Sequence, residues 1–258
     1  MTNTHRQFVL AFFIWVISTA CNYGGSSSSV ENDEQDSQND IQIDLSLSKT
    51  IDLPINNPVG IASDGEKLWI LSDPKNAITF ELKYLDAETN QIEKTTVIEL
   101  IHIESGTYAH GLAYDGQYLW FTLLSEFPKI VQVDKDSGDI IKYYSIQAEG
   151  QADLTWGSNM LWISTGNASI FTVSPDSGET NEFSSVDAPH KDLGITFYDN
   201  KIWWGDALDN SITLYNPVTK EELGTIDSAV SYSGLLTFHK GQLLVLGDGG
   251  LDFYDLSQ

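Results

Sequence analysis

The sequence predicts an all-β protein, a five-bladed β-propeller with four-stranded antiparallel blades, and three observations lead to this fold. A pattern of short apolar strands and tight turns recurs five times, at an interval of about 41 residues. The last of these units stops after its third strand, and the alternating residues 45–53 (LSLSKTIDL) can supply the fourth. A large apolar residue marks the second strand of each unit, and the five are Trp69, Trp120, Trp162, Trp203 and Leu244.

The most complete unit runs over residues 108–146 and shows all four strands. Its first strand opens at Gly111 and ends at the turn Asp115-Gly116, and its second strand contains Trp120. The third strand covers residues 130–134, the turn 135–138 follows, and residues 139–146 form the fourth. Four short strands within one repeat of this length are typical of a propeller blade.

The other units occupy residues 59–100, 152–186, 192–226 and 233–258, and the first has a longer insertion around residues 81–91. Pairing residues 45–53 with the last unit would join both ends of the chain in one blade and cover an open sheet edge. We expect the aligned tryptophans to pack between blades. Trp156 and Trp204 have no counterpart in other units, so both core packing and ligand contact stay open for them. Turns are predicted at Asp64-Gly65, Asp115-Gly116, Gly157-Ser158, Asp199-Asn200 and Lys240-Gly241.

Composition excludes some classes of function. The 258 residues include 13 lysines and arginines against 37 aspartates and glutamates, a net charge of −24. A surface this acidic repels phosphate backbones, so we expect no nucleic-acid partner. The single cysteine, Cys21, cannot form a disulfide within the chain.

The first residues read as a targeting segment. Residues 1–20 have a weakly basic start, an apolar run over residues 8–17 and then three small residues before Cys21. The run is too short to span a bilayer, which favours a signal peptide. Small residues followed by a cysteine resemble the lipobox of bacterial lipoproteins, and this resemblance implies cleavage before Cys21 and its lipidation. The alternative is an ordinary secretory signal with an incidental cysteine.

Residues 21–40 then form a lipid-bearing cysteine and a flexible acidic linker, because they contain almost nothing that could be buried. The propeller is expected over residues 41–258. We therefore predict a protein of the bacterial cell envelope, attached to a membrane through its lipid. Asn22 stands where an aspartate is associated with inner-membrane retention, which favours the outer membrane in a cell that has two.

The channel mouth is the predicted ligand site. The segments that lead into the first strands converge at one end of a propeller's channel, so polar residues far apart in sequence become neighbours. Imidazoles, carboxylates and an ammonium there could bind an anion or a metal or transfer protons, although a polar mouth can also hold only water. No close ligand spacing supports a metal site built from the histidines and aspartates, and we predict none. The residues of this predicted site are His110, Asp153, His190, Lys191, Asp192 and Tyr232.

Two resemblances refine these expectations. The DG-x-x-LW and D-x-x-SG elements of the units resemble bacterial NHL-like and YVTN-like propeller repeats. Residues 109–116 (AHGLAYDG), 154–156 (LTW) and 192–196 (DLGIT) are similar to segments of the five-bladed glutaminyl cyclases of bacteria and plants. That family's acidic motifs would fall at residues 121–124 and 233–235, where this chain has no carboxylate. The resemblance thus implies a relative without cyclase activity.

These observations predict a membrane-anchored lipoprotein that binds a ligand or protein at the channel mouth, without catalysis and with no identified cofactor. The alternative is an enzyme of the glutaminyl cyclase or lyase type that uses His110, Asp153 and Asp192. A third possibility is a structural subunit of an envelope complex. The partner would be a small molecule or an envelope protein in either of the non-enzymatic cases.

Overall fold

A computed structural model describes residues 43–74, 79–100, 107–147, 152–166, 169–185, 194–206, 210–227, 234–247 and 250–257. Within these ranges twenty β-strands form five antiparallel sheets of four strands each, and the first strand of each sheet contacts the first strands of both neighbouring sheets. The predicted five-bladed β-propeller is therefore confirmed. The described residues contain no helix that is long and apolar enough to cross a membrane.

Each blade takes its strands in sequence order from the channel outward, except the last. Blade 1 contains β2 (Pro58–Ser63), β3 (Leu68–Ser72), β4 (Thr79–Asp86) and β5 (Gln91–Glu99). Blade 2 contains β6 (Tyr108–Tyr114), β7 (Leu119–Leu124), β8 (Lys129–Val133) and β9 (Ile140–Ser145). Blade 3 contains β10 (Ala152–Gly157), β11 (Met160–Thr165), β12 (Ser169–Val173) and β13 (Thr180–Ser185). Blade 4 contains β14 (Ile195–Tyr198), β15 (Lys201–Asp206), β16 (Ser211–Tyr215) and β17 (Glu222–Asp227). Blade 5 contains β18 (Leu235–His239), β19 (Gln242–Gly247), β20 (Gly250–Ser257) and β1 (Asp44–Ile51).

The ring closes through the strand that precedes blade 1. Strand β1 pairs antiparallel with β20, from Asp44 opposite Ser257 to Ile51 opposite Leu251, with one irregularity between Leu47 and Lys49. This pairing confirms the predicted closure, although the strand ends at residue 51 and not at residue 53. Both ends of the propeller's chain thus lie in one blade, and the outer edge of β20 is covered.

The marked residues form the core between blades. Trp69, Trp120, Trp162, Trp203 and Leu244 are at most 4% exposed, and each belongs to a hydrophobic cluster that joins two neighbouring blades. The indole N–H groups of the four tryptophans are satisfied within each blade: the carboxylates of Asp64 and Asp115 accept those of blades 1 and 2, and backbone carbonyls accept those of blades 3 and 4. Trp204 is buried in the hydrophobic cluster between blades 3 and 4. Trp156 is partly buried and packs against the cluster between blades 2 and 3. Core packing of the aligned tryptophans is confirmed.

The tight turns explain where the first strands end. Gly65 and Gly116 have φ of 90° and 99°, a region that glycine reaches without strain. Asp64 and Asp115 precede them, and each accepts two backbone N–H groups of its own turn through Oδ1. Four of the predicted turns are confirmed. In blade 3 the left-handed residues are Ser158 and Asn159, one position later than predicted.

Candidate functional site at the channel mouth

One position in the innermost strands distinguishes blade 3 from the others. It lies two residues before the partner of the marked tryptophan, or of Leu244 in blade 5. Blades 1, 2 and 4 have glycine at this position and blade 5 has leucine, whereas blade 3 has an aspartate. In blade order the five residues are Gly60, Gly111, Asp153, Gly194 and Leu235.

The glycines are required because the innermost strands approach each other closely there. A Cβ atom on Gly60 would lie 2.6 Å from the carbonyl oxygen of Gly111, and one on Gly111 would lie 2.5 Å from Oδ1 of Asp153. A Cβ atom on Gly194 would overlap the carbonyl oxygen of Gly234. The backbones therefore converge around the axis, and the Asp153 carboxyl is the side chain that extends into this crowded level.

Asp153 is buried and joins two blades. Its residue is 3% exposed. Oδ1 accepts the N–H of Leu154 at 2.9 Å, and Oδ2 accepts the N–H of Ile195 in blade 4 at 3.1 Å. Burial raises the pKa of this carboxyl well above its ordinary value, although the two backbone hydrogen bonds act in the opposite direction. Because the charged form is disfavoured, Asp153 keeps its proton to higher pH than a solvated aspartate and can donate a hydrogen bond.

His110 precedes Gly111, the residue of the neighbouring blade that approaches this carboxyl. It is half-buried on β6, opposite Thr122, and the register of the pair is interrupted between His110 and Ala113. The interruption coincides with Gly111, whose φ of 65° is in the left-handed region. The Thr122 hydroxyl donates to the carbonyl of His110 at 2.5 Å. Because Gly111 approaches Asp153, His110 and Asp153 lie at the same end of adjacent innermost strands, and that they form one site stays a prediction.

The start of β6 also has a buried hydroxyl that lacks a partner among the described residues. Thr107 is 6% exposed, and its Oγ1 makes no hydrogen bond within that part of the chain. A buried polar group left in this state costs about 1–3 kcal/mol. A ligand that reaches this end of β6 could remove that cost.

The remaining predicted site residues lie outside the described residues. These are His190, Lys191, Asp192 and Tyr232, together with the lipidation site Cys21. Their convergence with His110 and Asp153 stays a prediction. Among the described residues, no three histidine, cysteine or acidic side chains lie close enough to hold a metal ion. A metal bound by His110 and Asp153 would therefore need a third ligand from outside the described residues.

Sequence reasoning missed five buried polar residues on the second strands, among them Ser72 and Thr165, which are 2% and 1% exposed. Thr122 and Ser164, two positions after their tryptophans, are 0% exposed, and Asp206 at the end of β15 is 8% exposed. In blades 1 and 5 the position of Thr122 is taken by Leu71 and Leu246. Buried polar residues at the ends of the second strands thus occur in blades 1 to 4. Asp206 lies in strand β15 opposite Ser211.

The positions of the missing acidic motifs are now clear. Residues 121–124 lie in β7, where Phe121, Thr122 and Leu123 are buried and none is acidic. Residue 233 lies outside the described residues, while Gly234 and Leu235 lead into β18 with no carboxylate. A catalytic carboxyl at this mouth would therefore have to be another residue, and the buried acidic residues in the described part of the chain are Asp153 and Asp206.

Comparisons with known proteins support the fold. No known protein family and no curated protein matches the sequence. The structure is similar to that of a glutaminyl cyclase from Myxococcus xanthus, with a TM-score of 0.63 and 16% identity over 83% of this chain and 96% of that one. It is also similar to a chain in a nidogen/laminin complex, with a TM-score of 0.55 and 14% identity over 80% of this chain and 86% of that one. At these identities the likeness concerns the fold, and membership of the NHL-like repeats stays a prediction.

Proposed function

We propose that this protein is a lipid-anchored propeller of the bacterial envelope that binds a small ligand at its channel mouth. The observation that carries the proposal is Asp153, a buried carboxyl at the level where three other blades have glycine. A carboxyl is costly to bury, and a strongly perturbed group in a central cavity is a common mark of a binding or catalytic site. The hydroxyl of Thr107, unsatisfied within the described residues, adds a second polar group at this end of the channel.

The chemistry of the mouth favours a ligand with an amino or amide group. A neutral Asp153 can donate to a carbonyl, and an ammonium close to it would lower its pKa and form an ion pair. His110 in the adjacent blade offers a further donor or acceptor. The net charge of −24 also favours the approach of a cation over that of an anion.

The anchor is supported by sequence alone. The apolar run, the small residues and Cys21 follow each other as in bacterial lipoproteins, and the acidic linker would hold the propeller away from the membrane. Acyl chains stabilise membrane attachment by about 0.8 kcal/mol per buried methylene, so a cysteine with several chains would stay attached. Labelling of cells with an alkynyl fatty acid tests this point. The label should attach to the wild type and be lost in Cys21→Ser, and equal labelling of both would exclude lipidation of Cys21.

The binding proposal is tested by thermal shift of the purified protein. Amino-terminal glutamine peptides, free amino acids, amines and small acids are added one class at a time. A ligand at a hundredfold excess over its Kd stabilises the native state by about 2.7 kcal/mol, which is readily measured as a rise in Tm. The rise should be reduced in Asp153→Asn and in His110→Ala and kept in Asp176→Asn, an exposed aspartate on the turn between β12 and β13. No shift with any class, or a shift kept in both mouth variants, would refute the site.

A second candidate is a cyclotransferase, because the fold covers 96% of a glutaminyl cyclase and Asp153 has the raised pKa of a group that transfers protons. In that reaction the terminal amine attacks the side-chain amide, a carbon–nitrogen bond forms, and ammonia leaves. Asp153 would take the proton from the amine and return it to the departing nitrogen. The test is mass spectrometry of a glutamine peptide, in which loss of ammonia should depend on Asp153. Binding without turnover would favour the non-catalytic proposal.

A further inference from the structure

A cleft of about 560 Å³ lies in blade 1, and its lining includes neither His110 nor Asp153. Its walls come from the connection between β1 and β2, the end of β3 and the third strand of the blade, β4. Sites for small ligands commonly have volumes of about 300–1,000 Å³. The polar side chains of its wall belong to Asn56, Asn57, Ser72, Asp73, Glu81 and Lys83.

One wall of the cleft is fixed by reciprocal hydrogen bonds. Asn57, with φ of 50°, donates from its side-chain amide to the carbonyl of Asp73 at 3.0 Å. The backbone N–H of Asp73 donates back to the carbonyl of Asn57 at 3.1 Å. The connection and the end of β3 are thus held together, so the cleft exists before a ligand arrives and binding costs little ordering of the protein.

The other wall contains an ion pair at a position that is apolar in blades 2 and 3 and is occupied by Thr213 and Asp252 in blades 4 and 5. Nζ of Lys83 lies 2.6 Å from Oε2 of Glu81, and the two side chains are 15% and 33% exposed. Lys83 is the least exposed lysine among the ion pairs of the described residues. Val131 and Phe171 occupy the matching position in blades 2 and 3. Blade 1 therefore places a partly buried charge pair where these two blades place an apolar side chain.

The composition of the cleft disfavours three ligand classes: metal ions, anions and apolar molecules. A metal ion would meet the ammonium of Lys83, and the described residues hold no group of three metal-binding side chains. An anion would meet two carboxylates on a protein with a net charge of −24, and it would have to displace Glu81 from Lys83. An apolar ligand would leave the charges and amides of the wall without partners.

A neutral ligand with many hydroxyl groups fits the remaining chemistry. Each hydroxyl both donates and accepts, so it can bond to a carboxylate, an amide or an ammonium without breaking the Lys83–Glu81 pair. The rings of Pro54 and Pro74 add apolar surface at the rim, against which the C–H face of a sugar can pack. We propose that the blade 1 cleft is a second binding site, which does not use His110 or Asp153, for a neutral saccharide.

The test is saturation-transfer NMR of the purified protein with glucose, N-acetylglucosamine and sucrose, each measured alone, and with glycine and citrate for comparison. Transfer to at least one sugar is expected, with little to citrate. Loss of a hydrogen bond to the charged Lys83 should weaken binding by about tenfold or more, and loss of one to the neutral amide of Asn56 by about two- to tenfold. Lys83→Met and Asn56→Ala should therefore both reduce the sugar signal. Asn56 is exposed on the connection, so its variant is expected to fold even where Lys83→Met does not.

Two control variants show whether sugar binding depends on the cleft itself. Lys201→Met removes the lysine of another ion pair of 2.6 Å between residues two apart, in blade 4, and should keep sugar binding. Asp153→Asn alters the channel mouth and should also keep it, so failure of the mouth proposal leaves this one standing. The proposal is overturned if no sugar binds the wild type, if Asn56→Ala and a folded Lys83→Met bind it unchanged, or if Asp153→Asn abolishes binding.

Discussion

The pH dependence of stability gives a direct test of the buried carboxyl. The folded-state pKa of Asp153 is raised above its unfolded value, so its contribution is fully present below the unfolded pKa of about 3.9 and is lost as pH rises through the folded pKa. Each unit by which the two pKa values differ corresponds to about 1.4 kcal/mol. Asp153→Asn removes this titration. We therefore expect the wild type to lose free energy of unfolding relative to the variant between pH 5 and pH 8.

The hydrogen bonds of Asp153 indicate which of the two proteins should be the more stable at pH 5 and at pH 8. Asp153 accepts from Leu154 and Ile195 through different oxygens, whereas asparagine has one oxygen and would face one backbone N–H with its own NH₂ group. Leaving one buried donor without an acceptor costs about 1–3 kcal/mol, so the wild type should be the more stable protein at pH 5. The difference in free energy of unfolding should shrink or reverse at pH 8. There the folded wild type either buries a charged carboxylate or keeps a proton that the unfolded chain releases.

Calorimetric melting of both proteins across this range measures the effect. One kcal/mol moves the Tm of a domain of this size by about 2–4 °C. The pH-dependent change in the Tm difference between wild type and Asp153→Asn is therefore measurable. Asp176→Asn, at an exposed position, is the control, and its curve of Tm against pH should run parallel to that of the wild type. Parallel curves for Asp153→Asn as well would mean that Asp153 does not titrate between folded and unfolded states in this range. The proton-transfer role would then have no basis.

Three further predictions concern the propeller itself. Trp120→Phe keeps most of the core volume but removes the 2.7 Å hydrogen bond to Asp115, and we expect a loss of about 1–3 kcal/mol in denaturant unfolding; a change below the error of that measurement would contradict this role of the indole. Burial lowers the pKa of His239, which shares a 2.8 Å hydrogen bond with Ser63 across the junction of blades 5 and 1. Stability should therefore fall as pH drops below about 6.5, where the unfolded chain takes up the proton first, and His239→Asn should flatten this slope in melting curves. Deletion of residues 43–51 removes the closing strand β1 and should expose the edge of β20, detected as faster hydrogen exchange in blade 5 and as self-association in light scattering; unchanged exchange there would show that closure does not protect the edge.

The fold could be predicted because residues within each repeat mark the positions of its strands. The tryptophan of the second strand and the turn before it locate three of the four strands, and Leu244 keeps the register where the tryptophan is absent. Closure by β1 followed from counting strands, since an unpaired edge in the last blade needs a partner. The end of β1 and the exact turn of blade 3 depend on local hydrogen bonds, and there the prediction was displaced by one or two residues.

The candidate site was less accessible to sequence reasoning. Asp153 and His110 could be found because both begin first strands, which converge whatever their separation in sequence. The contact of Asp153 with the backbone of Gly111 depends on how closely two strands approach, and no single unit contains that information. Alignment of the units could have revealed Thr122 and Ser164, because polar residues replace leucine at one position in these middle blades.

Departures from the repeat are therefore the most informative residues of this chain. A position that only has to pack can hold the same kind of residue in every blade, as the tryptophans do, because each interface between blades poses the same problem. Asp153 brings a charge-bearing group to a level where three blades have glycine. Lys83 brings one to a position that is apolar in blades 2 and 3, while blade 5 has Asp252 there. Such a cost is tolerated where something other than the fold requires the group, since charged groups are otherwise excluded from interiors. The two departures lie in different blades with different chemistry, a buried acid at the axis and a paired ammonium in a polar cleft, which is why we assign them to two ligands rather than to one.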